Sequence, residues 1–145
     1  MGQANQTKAN QLQAAPGRLA IPDRKISETI IDFGAPLIFD LDKKQPIDII
    51  RATFTIVIMV WNAQVMAMPV WGKPELLEQV KDLLGTPKAA AEARAAYNEL
   101  TARRLEHFAN DPRAVGNWHV AFDATGRLRL HCEAHVPSSL MPRRG

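Results

Sequence analysis

Three of the chain's four histidines, its single cysteine and two of its acidic residues fall within one short stretch near the C-terminus. Trp118, Val120 and Phe122 alternate there with His119, Ala121 and Asp123, and Leu128, Leu130, Cys132 and Ala134 alternate with Arg129, His131, Glu133 and His135. A period of two places alternate side chains on opposite faces of a strand. The two runs are joined by Ala124-Thr125-Gly126, and a three-residue loop ending in Gly suits a type I turn with a G1 bulge. That loop pairs 123 with 127, 122 with 128, 120 with 130 and 118 with 132, which keeps the apolar residues on one side. A two-residue loop would set Val120 against His131 and mix the faces.

In this register His119 lies across from His131, with Glu133 and His135 on the same polar face. Three imidazoles and a carboxylate are a metal-ligand inventory for zinc or another divalent ion. Spacing narrows it. His131 and His135 are about 13–14 Å apart along an extended strand, too far to share one ion. The nucleus of a metal site is therefore His119 with His131, joined by Glu133. The competing reading, an ordinary solvated strand face, is preferred, because half-exposed antiparallel strands carry such residues routinely. Cys132 neighbours His131 in sequence but points to the opposite face, so His131 is badly placed to take its proton, and the thiol reads as core.

The rest of the chain offers little chemistry. It has no phosphate-binding glycine loop, no H-E-x-x-H and no C-x-x-C, and no cofactor is implied. Ser27 reads as a helix cap, and Ser138 and Ser139 lie in a tail, which leaves no serine nucleophile. Asp40 and Asp42 share a loop without an apolar wall to raise a carboxyl pKa. Arg94, Arg103 and Arg104 read as a solvated helix stripe paired with Glu99.

The elements that must position these residues are set by the segment from Pro46 to Gly72, which apolar side chains almost saturate. Its Thr53–Trp61 run is β-branched enough for a strand. No turn signal interrupts it between Ile47 and Ala67, however, so its length argues for one buried helix. On a helical wheel Asp48, Arg51, Thr55, Met59, Asn62 and Met66 form the least apolar stripe. Before it, Ile30, Phe33, Leu37 and Leu41 recur at helical spacing after a Ser27 cap, with Ile26 and Ile31 as a hydrophobic staple and a kink or break around Gly34 and Pro36. After it, Pro74 opens a helix that Gly85 closes, and Thr86-Pro87 starts another running to Ala109. The expectation is an α+β domain over residues 26–135, with about four helices around the buried 46–68 helix and a C-terminal two-stranded antiparallel hairpin. Residues 1–25 and 136–145, poor in periodic apolar residues, are expected to be disordered tails.

The formal charge of +3 sits in those tails; the body between them carries 12 basic and 14 acidic residues. A slightly acidic body lacks the electrostatic footprint of a nucleic-acid-binding domain, so only the basic tails could serve a nucleic-acid adaptor. One cysteine excludes an intrachain disulfide, and the N-terminus has no signal-peptide pattern, so a cytoplasmic location is expected. Arg51, Asn62, Gln64 and Pro69 interrupt the long apolar run, and their cost in hydrocarbon argues against a membrane span.

Trp61-Asn62-Ala63-Gln64-Val65-Met66-Ala67, Trp71-Gly72-Lys73-Pro74-Glu75-Leu76 and the later Arg103-Arg104 with Phe108-Ala109-Asn110-Asp111-Pro112-Arg113 resemble segments of small bacterial proteins with no assigned activity. The resemblance covers residues 26–135; it implies a compact domain and brings no catalytic residue with it. The expected function is a non-catalytic interaction or accessory module, with a metal-assisted enzyme and a tail-mediated nucleic-acid adaptor as alternatives. So apolar a helix in so small a domain should leave some apolar surface uncovered. A homodimer or protein partner contact is therefore expected through Met59, Trp61, Met66 and Trp71.

Overall fold

A computed structural model of the protein describes Leu19, residues 21–39, Leu41 and residues 45–140. The expected tail residues 1–18, 20 and 141–145 and most of the 40–45 loop lie outside the described residues. The long apolar segment is a single helix, α3 (Ile47–Met66), as its lack of turn signals requires. Pro46 stands as its N-cap with φ −58°, and Asp48 lies in the first turn. Ile50, Phe54, Val57, Ile58, Val60, Trp61, Ala63 and Val65 are buried and form the centre of the core. Asp48, Arg51 and Thr55 are exposed, whereas Met59, Asn62 and Met66 are half-buried, so the polar stripe is covered only towards its C-terminal end. By length and composition alone α3 could cross a membrane; it is the only such helix among the described residues.

The remaining helices wrap this one. The first predicted helix divides at Gly34 into α1 (Ile26–Phe33) and α2 (Ala35–Ile38). A side chain at Gly34 would place its Cβ 2.7 Å from Val57 Cγ1, so the glycine lets the elbow rest directly on α3. Pro36 falls in the first turn of α2, where no N–H is required. Two expectations for α1 fail: Lys25, not Ser27, occupies the cap without a side-chain bond, and Ile31 is 40% exposed instead of stapling Ile26. The helix starts two residues earlier, so Ile26 lies within it, and the buried face made by Ile26, Thr29, Ile30 and Phe33 leaves Ile31 outward. After the turn at Gly72 (φ 65°), α4 (Glu75–Leu84) ends at Gly85 as expected. The last helix, α5 (Ala91–His107), begins later than Thr86-Pro87 because residues 86–90 form a turn.

The hairpin consists of β1 (Ala114–Phe122) and β2 (Leu128–His135). Trp118↔Cys132, Val120↔Leu130 and Phe122↔Leu128 pair as the three-residue loop predicts, and Gly126 has φ 82° at the bulge position. A further irregularity lies between Val115 and Trp118, where β1 carries an extra residue. β1 packs on α3 and β2 on α1, which gives the α+β arrangement its second layer.

Candidate functional site

The hairpin is held to the helices by a buried polar joint that the sequence reading missed. Residues 111–115 are all buried. The Trp61 indole donates to the Arg113 carbonyl at 2.7 Å, and the Trp71 indole donates to the Pro112 carbonyl at 2.7 Å. Asn62 grips the Val115 backbone at both groups: its Nδ2 donates to the carbonyl at 3.0 Å, and its Oδ1 accepts from the amide at 2.8 Å. Arg113 donates from Nε and Nη2 to both oxygens of the Asp111 carboxylate, and reaches Thr29 Oγ1 and the Arg24 carbonyl. The folded body thus includes Arg24, before the expected boundary, and the buried Pro137 after it.

Two assignments are corrected by this joint. Trp61, expected at an interface, is 0% exposed, and it packs edge-on against Phe33 and Phe108. Trp71, Met59 and Met66 are half-buried. The Arg103–Arg104 stripe is not solvated: Arg103 donates to the carbonyls of Asp32 and Phe33 at the end of α1. Arg104 is 2% exposed, lies 4.5 Å from the Trp61 ring centre and donates to the Asp111 carbonyl at 2.6 Å. Burial lowers its pKa to about 10, partly offset by the Asp111 charge, so it is still protonated at neutral pH. A signal was present: Asn110-Asp111-Pro112-Arg113 stands just after the helix and before the strand, where Asp111 and Arg113 can pair locally. Helical periodicity hid it by assigning every arginine of α5 to one outer stripe.

On the polar face of the hairpin, His119 and His131 stack with ring centres 4.7 Å apart and planes inclined by 19°. Glu133 does not join them; it faces Asn117 at 3.4 Å and His135 at 3.6 Å. Among the described residues no three His, Cys, Asp or Glu side chains are grouped to hold a metal ion. The predicted metal set His119, His131 and Glu133 is therefore divided. At the tip, the Asp123 carboxylate accepts from Thr125 Oγ1 (2.6 Å), the Thr125 and Arg127 amides, and Arg129 Nε (2.8 Å). These bonds, led by those from Thr125 and Arg129, hold its pKa well below the usual carboxylate range.

The open feature is the outer edge of β2. The Asp123 amide donates to the Arg127 carbonyl at 2.8 Å, which makes 123 and 127 a hydrogen-bonded pair. Antiparallel alternation then turns the backbone groups of Arg129 and His131 towards β1 and those of Leu128, Leu130, Cys132 and Ala134 outward. The sheet has two strands, and among the described residues nothing hydrogen-bonds to these four outward positions. A groove of about 530 Å³ runs between this edge and the start of α1, with Ile26, Ser27, Glu28 and Ile31 on the helical wall. Cys132 lines it, its thiol pushed up to about 11 by burial, so it enters as a neutral group. The groove sets a row of main-chain donors and acceptors that no other described residue meets beside a helical wall of mixed polarity, Ile26 and Ile31 with Ser27 and Glu28. Among the described residues that line it, neither Ser27 nor the Cys132 thiol makes a side-chain hydrogen bond to His131 or Glu28.

No family model, curated protein or solved structure matches the chain.

Proposed function

We propose that the protein is a non-catalytic interaction module whose binding element is the groove between α1 and the outer edge of β2. The observation that carries this reading is the alignment of four outward-facing residues along the open edge of β2 beside Ile31, which is 40% exposed. Main-chain bonds to such an edge supply affinity for an extended segment, and pockets for alternate side chains supply selectivity. An open edge is a hazard that folds usually cover or charge. Here Arg129 and Glu133 place charge on the face of β2 that also carries His131 and His135, while the groove side keeps Leu128, Leu130 and Ile31. A free thiol at Cys132 accords with a reducing compartment such as the cytoplasm.

Selection of a phage-displayed peptide library on the full chain tests the reading. Enriched peptides should carry apolar residues at alternate positions, perturb the amide resonances of Leu128, Leu130, Cys132 and Ala134, and lose at least about tenfold in affinity to Ile31→Asp. Peptides that bind elsewhere and are indifferent to Ile31→Asp would refute it.

A further inference from the structure

We infer that the segment received by this edge is β2 of a second copy, added antiparallel about a twofold axis through His131, to give a continuous four-stranded sheet ordered β1-β2-β2′-β1′. The inference rests on the reading of the β2 edge as a binding element. A twofold axis demands a self-complementary strand, because each residue meets a partner at the mirror-related position. Centred on His131, the pairing sets Leu128 against Ala134′ and Leu130 against Cys132′. All four outward-facing residues are then satisfied in one register, and none of the main-chain groups of the open edge is left over. On the polar face the same register sets Arg129 against Glu133′, and its twin on the other side of the axis, so opposite charges lie directly across from one another.

Registers shifted towards the turn do worse. Moving the axis to Leu130 sets Arg129 against His131′ and places Ala134 opposite Gly126′, in the turn and outside β2. Moving it to Arg129 places that residue against its own copy. The Arg129 side chain is 58% exposed even while bonded to Asp123, and that of Glu133 is 58% exposed, so both can face a partner strand. The twofold axis also brings the two α1 helices to the same face of the joined sheet, beside the half-exposed Ile31. This places the contact on the hairpin, away from Met59, Met66 and Trp71.

Cysteine pairing reads the register directly. In this arrangement His131 faces His131′ as a non-hydrogen-bonded pair, with Cα atoms about 4.5 Å apart, inside the span a disulfide bridges. In a Cys132→Ala background whose thermal melt shows it folded, His131→Cys should form a covalent dimer under mild oxidation. Arg129→Cys and Glu133→Cys should each remain monomeric on denaturing gels, yet cross-link when mixed. Glu133→Arg, which sets like charges across the axis twice, should weaken dimerisation seen by sedimentation about tenfold. Cross-linking of Arg129→Cys with itself as fast as His131→Cys would overturn the register. A chain that sediments as a monomer at high micromolar concentration and gives no cross-link would overturn the dimer. If that monomer still binds selected peptides through the Ile31 groove, the interaction module stands without the dimer; if it binds none, both fail. Protection of the outward amides at every dilution would show instead that the chain's own N-terminal residues fill the edge, and would likewise overturn the second-copy inference.

Discussion

Replacing Asn62 by leucine removes the clamp between the central helix and the first strand while keeping the side-chain volume. Both backbone groups of Val115 bond to Asn62, and Val115 is 6% exposed, so neither group regains a water molecule readily. Each buried group left unpaired costs about 1–3 kcal/mol, and leucine recovers part of that through added apolar burial. The expected net loss is about 2–4 kcal/mol. With a urea m-value of about 2 kcal/mol per molar, the midpoint should fall by about 1–2 M. Tryptophan fluorescence during urea unfolding measures this, since Trp61 and Trp71 both donate to the same joint. Hydrogen exchange at the Val115 amide locates it. Gln64→Ala, which deletes a half-buried side chain with no hydrogen bond to another described residue, serves as the comparison and should change stability by less than about 1 kcal/mol. A loss below about 0.5 kcal/mol for Asn62→Leu would show that the clamp is not what holds β1 to α3.

Arg113→Met strips the buried Asp111 carboxylate of its paired cation and should cost about 3 kcal/mol in the same assay, with Arg104 limiting the damage by taking over part of the pairing. Gly34→Ala drives a Cβ against Val57, so thermal denaturation should register a loss of about 1–3 kcal/mol from overpacking at the elbow. Cys132 holds its proton more tightly folded than unfolded, so its contribution to stability is present below about pH 9 and lost as pH rises towards about 11; alkylation by iodoacetamide should be slow at pH 8 in the native protein and fast in urea. Asp123 shifts the other way: its hydrogen bonds favour the carboxylate, so the hairpin tip is held above the ordinary carboxyl pKa of about 4 and loosens as pH falls below it. Faster exchange of the Arg127 amide in acid, and in Asp123→Ala at neutral pH, would report that loosening.

The hairpin was the most legible part of this chain because two constraints agree there. Strict alternation assigns the faces, and the Ala124-Thr125-Gly126 loop assigns the register, so the His119–His131 juxtaposition follows from the residue order alone. The central helix was legible through length, and the break at Gly34 through the glycine and proline together. The buried joint was not legible, since Trp61, Asn62 and Arg104 act on backbone groups more than forty positions away or on a carbonyl beyond the helix end. Periodicity says which way such a side chain points from its own element and nothing about what it meets. The unpaired edge of β2 was equally hidden: composition shows the residues of a strand, but only the assembled sheet shows which of its main-chain groups have no neighbour.

Amide hydrogen exchange along β2, followed by NMR at low micromolar and at millimolar protein concentration, tests the account most directly. The inward amides of Arg129 and His131 should be protected at both concentrations. Leu128, Leu130, Cys132 and Ala134 should exchange about a hundredfold faster than these in the dilute sample and approach them in the concentrated one, as the open edge is filled. Equal protection of inward and outward amides in the dilute sample, or outward amides that stay fast at millimolar concentration and with every selected peptide, would contradict it.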